Sequence, residues 1–258
     1  MRRRAALGTI VILVILGGII SYFMMRPAPA KVPGTVEIPT LSGSAYSEHA
    51  AYYDIAANYA TSTPLLENAG VAADAAATVL MRKFVASTIA QFKTDGNFAN
   101  LTPEDIQTTG FSANRKETLQ ITYLIASSPQ TVSYIFTTYE DTLGAHGNMF
   151  FHTFTFDAAT GKELSLADLF TPGSAYLGTL STLARAKLPA IIGQDASARM
   201  LDSGTTPDAQ NFENFFLDNQ QLVILFAPYA VAPYAAGPQT LRIPMGELSG
   251  ILKPEYRR

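Results

Sequence analysis

Between Lys116 and Ala158 the chain reads "KETLQITYLIAS", "TVSYIFTTYED" and "NMFFHTFTFDA", three segments in which Tyr, Phe, Thr and Ile alternate with polar residues. Successive side chains of a strand point to opposite faces, so a period of two commits each segment to a sheet, and β-branched and aromatic residues fit its pleated surface. Only "SPQ" at 128–130 separates the first two segments, a length suited to a hairpin. The three segments therefore predict an antiparallel meander, around which the rest of the chain must be arranged.

Upstream, "YYDIAANYA" puts Tyr53, Ile55, Ala57 and Tyr59 on one side of a strand. "NAGVAADAAATVLMRKFVASTIAQFKTDG" is rich in helix formers and predicts one long helix, with Val71, Ala75, Val79, Phe84 and Ile89 near one stripe and Gly96 as the stop. Downstream, "FDAATGKELSLADLF" reads strand, turn, helix. Asp157 suits the turn, Gly161 supplies a positive φ, and Ser165 with Asp168 makes a capping box. A helix is expected from Ser174, its N-cap, to Ile192. A polar loop, a hairpin in "NFFLDNQQLVILFAP", a strand in "TLRIP" and a helical turn at Met245–Leu252 complete the chain. The expected fold is α+β, an antiparallel meander and hairpins covered by helices.

At the N-terminus, "MRRR" precedes an uncharged run from Ala5 to Met25. As a helix that run would be about 31 Å long, enough to cross a bilayer. Arg2, Arg3 and Arg4 outweigh Arg26 and Lys31, which puts residue 1 inside and the rest of the chain outside the cytoplasm. A signal peptide cleaved after "APA" (Ala28–Ala30) is the alternative, but the run exceeds the usual h-region of about 7–15 residues. The expected organisation is a cytoplasmic stub (1–4), a transmembrane anchor (5–25), a Pro-rich stalk (26–45), and an ectodomain with portions at 46–155 and 156–258.

Of the 18 basic residues five fall in Met1–Lys31, whereas all 21 acidic ones follow it, so the exported part carries about −8. That balance argues against nucleic acid and suits a cationic protein partner. The chain has no Cys, which excludes disulfides, zinc-thiolate sites and a thiol nucleophile. His49, His146 and His152 are the only imidazoles, with no "HExxH" spacing, so no metal and no cofactor are expected. There is no "GxSxG". Glu140 and Asp141 are adjacent, so on a strand they point to opposite faces and cannot act together as a glycosidase pair. His152 reads as a face residue of the sheet.

The apolar run Val223–Phe226 stops at Pro228, and two Pro-Tyr pairs follow, Pro228-Tyr229 and Pro233-Tyr234, before Gly237. Proline cannot donate to a sheet ladder, so the strand ends there and the corner's first task is architectural. Tyr229 and Tyr234 either pack against the domain or offer stacking faces to a ligand.

The order and spacing of "GAHGN" (144–148), "FDAATGKELSLADLF" (156–170), "NFFLDNQQLVILFAPYAVAPYAAG" (214–237) and "IPMGEL" (243–248) resemble the extracellular domain of the RsiV-like family of anti-sigma factors. They also resemble the non-catalytic front part of PdaC-type peptidoglycan deacetylases. The resemblance spans roughly Tyr52 to Leu252. That family's histidine motif usually begins Gly-Gly-Ala-His, whereas here Leu143 precedes Gly144. The sigma-gripping cytoplasmic segment of such anti-sigma factors has no counterpart in Met1–Arg4, and the catalytic part of the deacetylases has none in the ectodomain. The resemblance implies a membrane-tethered, non-enzymatic module at the bacterial envelope that binds lysozyme-like muramidases or peptidoglycan glycan. Its candidate ligand contacts are His146, Asn148, Tyr229 and Tyr234, with Gly144, Asp157, Gly161, Ser165, Asp168, Pro228, Pro233 and Gly237 as turn and cap residues. The alternative is a peptidoglycan hydrolase using His146 with a nearby carboxylate.

Overall fold

The computed structural model describes residues 38–63 and 69–257. The expected stub, membrane anchor, cleavage site after Ala30 and most of the stalk lie outside the described residues. Among the described residues no helix is long and apolar enough to cross a membrane.

The alternating segments form a meander as expected: β3 (Glu117–Ser127), β4 (Thr131–Asp141) and β5 (Asn148–Asp157) pair antiparallel, in a register that runs from Thr118 opposite Asp141 to Thr131 opposite Asp157. Two strands extend the sheet to the order β1-β2-β3-β4-β5, β1 being Ala45–His49 and β2 Tyr53–Asn58. The sheet is not wholly antiparallel, because β2 and β3 run parallel. The long connection between them carries helix α1 (Val71–Asp95) across one face, and a crossover of that length is what parallel neighbours need. It also holds a short helix, α2 (Pro103–Thr109), which the sequence reading passed over although Thr102 and Asp105 cap it reciprocally.

The buried face of α1 differs from the expected stripe. Ala77, Met81, Val85, Ile89 and Phe92 are buried, whereas Val71, Ala75 and Val79 are exposed. At 100° per residue Val79 sits about 140° around the helix from the middle of the buried row. Gly96 does end the helix, but at φ −70°. The absent Cβ makes room for a ring: it would lie 2.2 Å from the Phe98 side chain, which would have to shift. The α1 row closes a core with Ile55 and Ala57 of β2, Leu119 and Ile121 of β3, Phe136 of β4, and Phe154 and Phe156 of β5.

A second sheet follows, with β6 (Phe215–Asp218), β7 (Gln221–Phe226) and β8 (Gln239–Pro244) in the order β6-β7-β8, all antiparallel. Asn219 and Gln220 make the β6–β7 turn with φ 44° and 64°, the twist that a two-residue hairpin requires. One face of this sheet, with Leu217, Leu222, Ile224, Leu241 and Ile243, packs on Leu180, Ala184 and Leu188 of α3 (Tyr176–Ile192). Helices α4 (Ala198–Gly204) and α5 (Met245–Leu248) flank it, α4 lying within the segment expected to be a polar loop. The N-cap of helix α3 is Ala175, one residue later than expected, and Ser174 is not its cap. Instead Thr171–Ser174 is a turn closed by the Ser174 N–H on the Thr171 carbonyl at 3.0 Å, with Pro172 and Gly173 (φ 80°) at its centre.

The opposite face of the second sheet turns toward the first. Phe216 and Val223 pack on Ile135 of β4, a separation from Phe215 that follows from the strand alternation. Threonines of β5 stitch the seam. The Phe215 N–H donates to Thr153 Oγ1 at 3.0 Å, the Thr155 hydroxyl donates to the Phe215 carbonyl at 3.0 Å, and Thr155 also bonds Ser133 at 2.9 Å. Because the second sheet is tied to the middle of the meander, the β4–β5 and β7–β8 connections come together.

Candidate functional site

Two loops far apart in sequence build one aromatic surface. The first is "GAHGN" between β4 and β5, the second the double Pro-Tyr corner between β7 and β8. In the corner, Ala227–Ala230 is a turn closed by the Ala230 N–H on the Ala227 carbonyl at 3.0 Å, with Pro228 at its first central position. The second central position of such a turn takes a positive φ and favours glycine, yet Tyr229 occupies it at φ 69°. Pro233 then starts a tighter turn over Tyr234–Ala236, and Gly237 at φ 68° leads into β8. Pro228, two residues past the end of β7, and Pro233, at the start of the second turn, thus shape the corner.

The ring of Tyr234 stacks on His146, with centroids 3.7 Å apart and planes 16° from parallel. Tyr229 lies 5.9 Å from His146 and 5.6 Å from Tyr234 and is 54% exposed. Hydrogen bonds lock the arrangement. The Tyr234 hydroxyl donates to the Gly147 carbonyl at 2.9 Å, and His146 Nδ1 lies 3.1 Å from the same oxygen. A carbonyl only accepts, so the Nδ1 carries a proton, and the Nε2 shares a hydrogen bond with the Tyr229 hydroxyl at 3.1 Å. The result is a chain from an exposed phenol through imidazole to backbone, spanning 83 residues of sequence.

Three of the four candidate contacts therefore meet. Asn148 opens β5 opposite Glu140 and makes no side-chain hydrogen bond among the described residues. The sequence reading did not single out Gly147 or the Tyr139 beneath it. Gly147 is buried and a Cβ there would lie 2.2 Å from the Tyr139 hydroxyl, so the Tyr139 ring packs under the turn and would have to shift for any larger residue. Leu143, at the place where the resembled family has its extra glycine, adopts φ 61°, held by its N–H donating to Asp141 Oδ1 at 2.9 Å. Gly144 itself needs no positive φ.

The turn and cap residues of the "FDAATGKELSLADLF" segment are consumed by the fold. Asp157 Oδ1 accepts from the Thr160 N–H and hydroxyl, each at 2.7 Å, and Gly161 takes φ 68° with a would-be Cβ 2.3 Å from Ala73 of α1. Asp168 accepts from the Ser165 hydroxyl at 2.7 Å and N–H at 2.9 Å and pairs with Lys162 at 3.2 Å. Those bonds, the Ser165 hydroxyl first, hold its carboxyl below the ordinary range. Below the histidine turn, burial raises the Glu140 carboxyl, with Asp95 adding to it, and raises Glu117, with Asp141 and Glu140 adding to it. His152 projects from β5 and stacks on Phe84 of α1 at 4.4 Å and 14°, which desolvates the ring and lowers its pKa although its rim still meets solvent. It has no part in the aromatic surface. Among the described residues no three His, Asp or Glu side chains are grouped to hold a metal ion.

By fold and site this is a two-sheet α+β domain with an aromatic junction between its sheets. Residues 167–246 match the family model described as "Protein of unknown function (DUF3298)", a stretch that contains the whole second sheet up to its last strand. The peptidoglycan-N-acetylmuramic acid deacetylase PdaC of Bacillus subtilis is 28% identical over 200 residues, covering 77% of this chain and 40% of that protein. The immunogenic protein MPT64 of Mycobacterium tuberculosis is 24% identical over 132 residues, 51% of this chain and 57% of its own length. The chain thus spans 40% to 57% of the length of these two relatives. A crystal structure of a DUF3298 family member from Bacteroides fragilis superposes with a TM-score of 0.53 at 22% identity, over 81% of this chain and 91% of that one. A DUF3298 family protein from Pseudomonas aeruginosa gives 0.51 at 18% identity, over 79% and 85%. At these identities the two structures share the fold.

Proposed function

We propose that the chain is a membrane-tethered, non-catalytic binding module of the bacterial envelope, that it is an RsiV-like member of this fold, and that peptidoglycan glycan binds on the Tyr229–Tyr234–His146 surface. The observation that carries this reading is Tyr229. A bulky residue in the left-handed region stores strain, and such strain persists at sites where function selects the side chain. Here it presents a half-exposed ring beside a stacked pair, the kind of apolar face on which a sugar ring packs. The hydrolase alternative is not favoured: among the described residues no carboxylate bonds His146, whose Nδ1 is spent on a backbone carbonyl.

A cationic protein such as lysozyme is the second reading, favoured by the exported charge of about −8, which would steer a basic partner toward the tyrosines. The test is binding of the full chain to purified peptidoglycan and to lysozyme, with Tyr229→Ala, Tyr234→Ala and His146→Ala compared. Each tyrosine variant should weaken the productive interaction about tenfold or more. Folded variants that bind both as well as wild type overturn the assignment of the surface. Loss of a peptidoglycan-cleaving activity in His146→Ala with an unchanged melting temperature would instead establish the hydrolase.

A further inference from the structure

The hydrogen bond between His146 Nε2 and the Tyr229 hydroxyl, at 3.1 Å, can run in either direction. The charge of the ring decides which, while its other contacts are fixed. Nδ1 donates to the Gly147 carbonyl in both charge states, because that oxygen has no proton to give. The Tyr234 hydroxyl is held on the same carbonyl at 2.9 Å. The Tyr229 hydroxyl is therefore the group of this junction that changes role, and it belongs to a residue that is 54% exposed.

In the neutral ring Nε2 is an acceptor, so the Tyr229 hydroxyl spends its one proton there and turns its oxygen lone pairs outward. In the imidazolium Nε2 is a donor, so the Tyr229 oxygen accepts from it and the hydroxyl proton is released outward. The same atoms thus offer a ligand an acceptor in one state, and in the other a donor backed by a positive charge. The charged ring is provided for: each of its N–H groups faces an oxygen at 3.1 Å, and the Tyr234 ring stacked at 3.7 Å adds a cation–π contact. The titratable groups around it are Tyr229 and Tyr234 from the corner, and on its own side Tyr139 beneath Gly147 and Asp141 at the end of β4, whose Oδ1 is held by the Leu143 N–H. Among the described residues the ring bonds only Gly147 and Tyr229, so no carboxylate or cation pins its charge. Imidazole is the side chain type that changes charge between about pH 5 and 8.

A sugar hydroxyl both donates and accepts, and it suits either state. A carboxylate only accepts, so it suits the protonated state alone and meets lone pairs in the other. We infer that the junction selects a carboxylate-bearing sugar over a neutral one, and that protonation of His146 turns this selection on by reversing its bond to Tyr229. The inference rests on the glycan reading of the surface and names the kind of sugar unit that the surface takes.

The experiment follows the full chain in detergent micelles by NMR at about pH 5.5 and about pH 8. The probes are N-acetylmuramic acid, which carries a carboxylate, and N-acetylglucosamine, which lacks it. The acidic sugar should bind about tenfold more tightly at the lower pH, the scale of one charge-assisted hydrogen bond gained, and the neutral sugar should bind equally at both. Coupling is reciprocal, so in the wild-type chain the acidic sugar should keep the His146 ring protonated to higher pH, read from its ring-proton shifts, and the neutral sugar should not. His146→Gln and Tyr229→Phe, each checked for an intact fold by its amide spectrum, should both lose the pH dependence. Tyr229→Phe keeps a titrating imidazole and so isolates the hydroxyl. Equal pH dependence for the two sugars, none for either, or a pH dependence that survives in folded Tyr229→Phe overturns the switch while leaving the surface a glycan site. Failure of both sugars to bind at either pH overturns the glycan reading and the switch with it.

Discussion

Replacing Tyr229 by Gly and, separately, by Ala divides backbone strain from ring contacts. The residue holds φ at 69° in a turn closed at 3.0 Å between Ala230 and Ala227. For an L-residue this basin costs about 1–2 kcal/mol. The hydrogen bond to His146 returns about 0.5–1.5 kcal/mol, and ring contacts with His146 and Tyr234 return about 0.5–1.5 kcal/mol. Both returns belong at the low end, because the side chain is 54% exposed. Ala forfeits the contacts and keeps the strain, so Tyr229→Ala should lose about 1–2 kcal/mol. Gly forfeits the same contacts and sheds the strain, at about 0.5–1 kcal/mol of extra chain entropy, so Tyr229→Gly should fall within about 1 kcal/mol of wild type. Urea denaturation of the two variants should show Gly ahead of Ala by about 1 kcal/mol, or roughly 2–4 °C in Tm for a domain of this size. Both should lose glycan binding alike. An Ala variant as stable as the Gly variant would refute the strain, and a Gly variant that still binds glycan would refute the ring as the contact.

Leu143→Gly should be stabilising or neutral, up to about 1 kcal/mol, since φ 61° suits glycine and the Asp141 bond uses only the backbone N–H; a loss above about 1 kcal/mol in urea melts contradicts this. Gly161→Ala should cost about 1–3 kcal/mol, from φ 68° and a Cβ 2.3 Å from that of Ala73, and an unchanged midpoint would show that α1 can yield. Thr155→Val removes the buried hydroxyl that joins Ser133 to Phe215, and a loss of about 1–3 kcal/mol by calorimetry is expected. The Glu117 carboxyl is raised by burial, then by Asp141 and Glu140, so the folded state binds its proton more tightly than the unfolded chain; the associated stability is present below the ordinary carboxylate range and is lost as pH rises through the folded value. Glu117→Gln should therefore raise Tm near pH 7 and leave it unchanged near pH 4, and an equal shift at both would rule the explanation out.

Legibility in the sequence follows the range of the interactions. The β3–β5 meander could be read because strand alternation is a nearest-neighbour signal, and the Gly161 turn and Ser165–Asp168 cap because each closes within a few residues. The parallel β2–β3 pair could not, since the residues of a crossover carry no mark of which edge the chain returns to. Helix α1 was placed correctly but faced wrongly because its many alanines make both sides acceptable, and only the sheet beneath selects Ala77, Met81 and Val85. Ser174 carried the right residue type for a cap, but Pro172-Gly173 just before it builds a turn of its own and delays the helix. The candidate site divides the same way. His146, Tyr229 and Tyr234 could be picked out singly as residues with more chemistry than their turns require. Their meeting rests on hydrogen bonds across 83 and 87 residues and on the Thr153 and Thr155 seam that sets one sheet against the other. The positive φ of Tyr229 is the part no local rule offers, since turn preferences predict glycine at that position. A tyrosine kept against that preference, at the one place where its hydroxyl reaches His146, is what a site looks like when backbone economy gives way to a side chain.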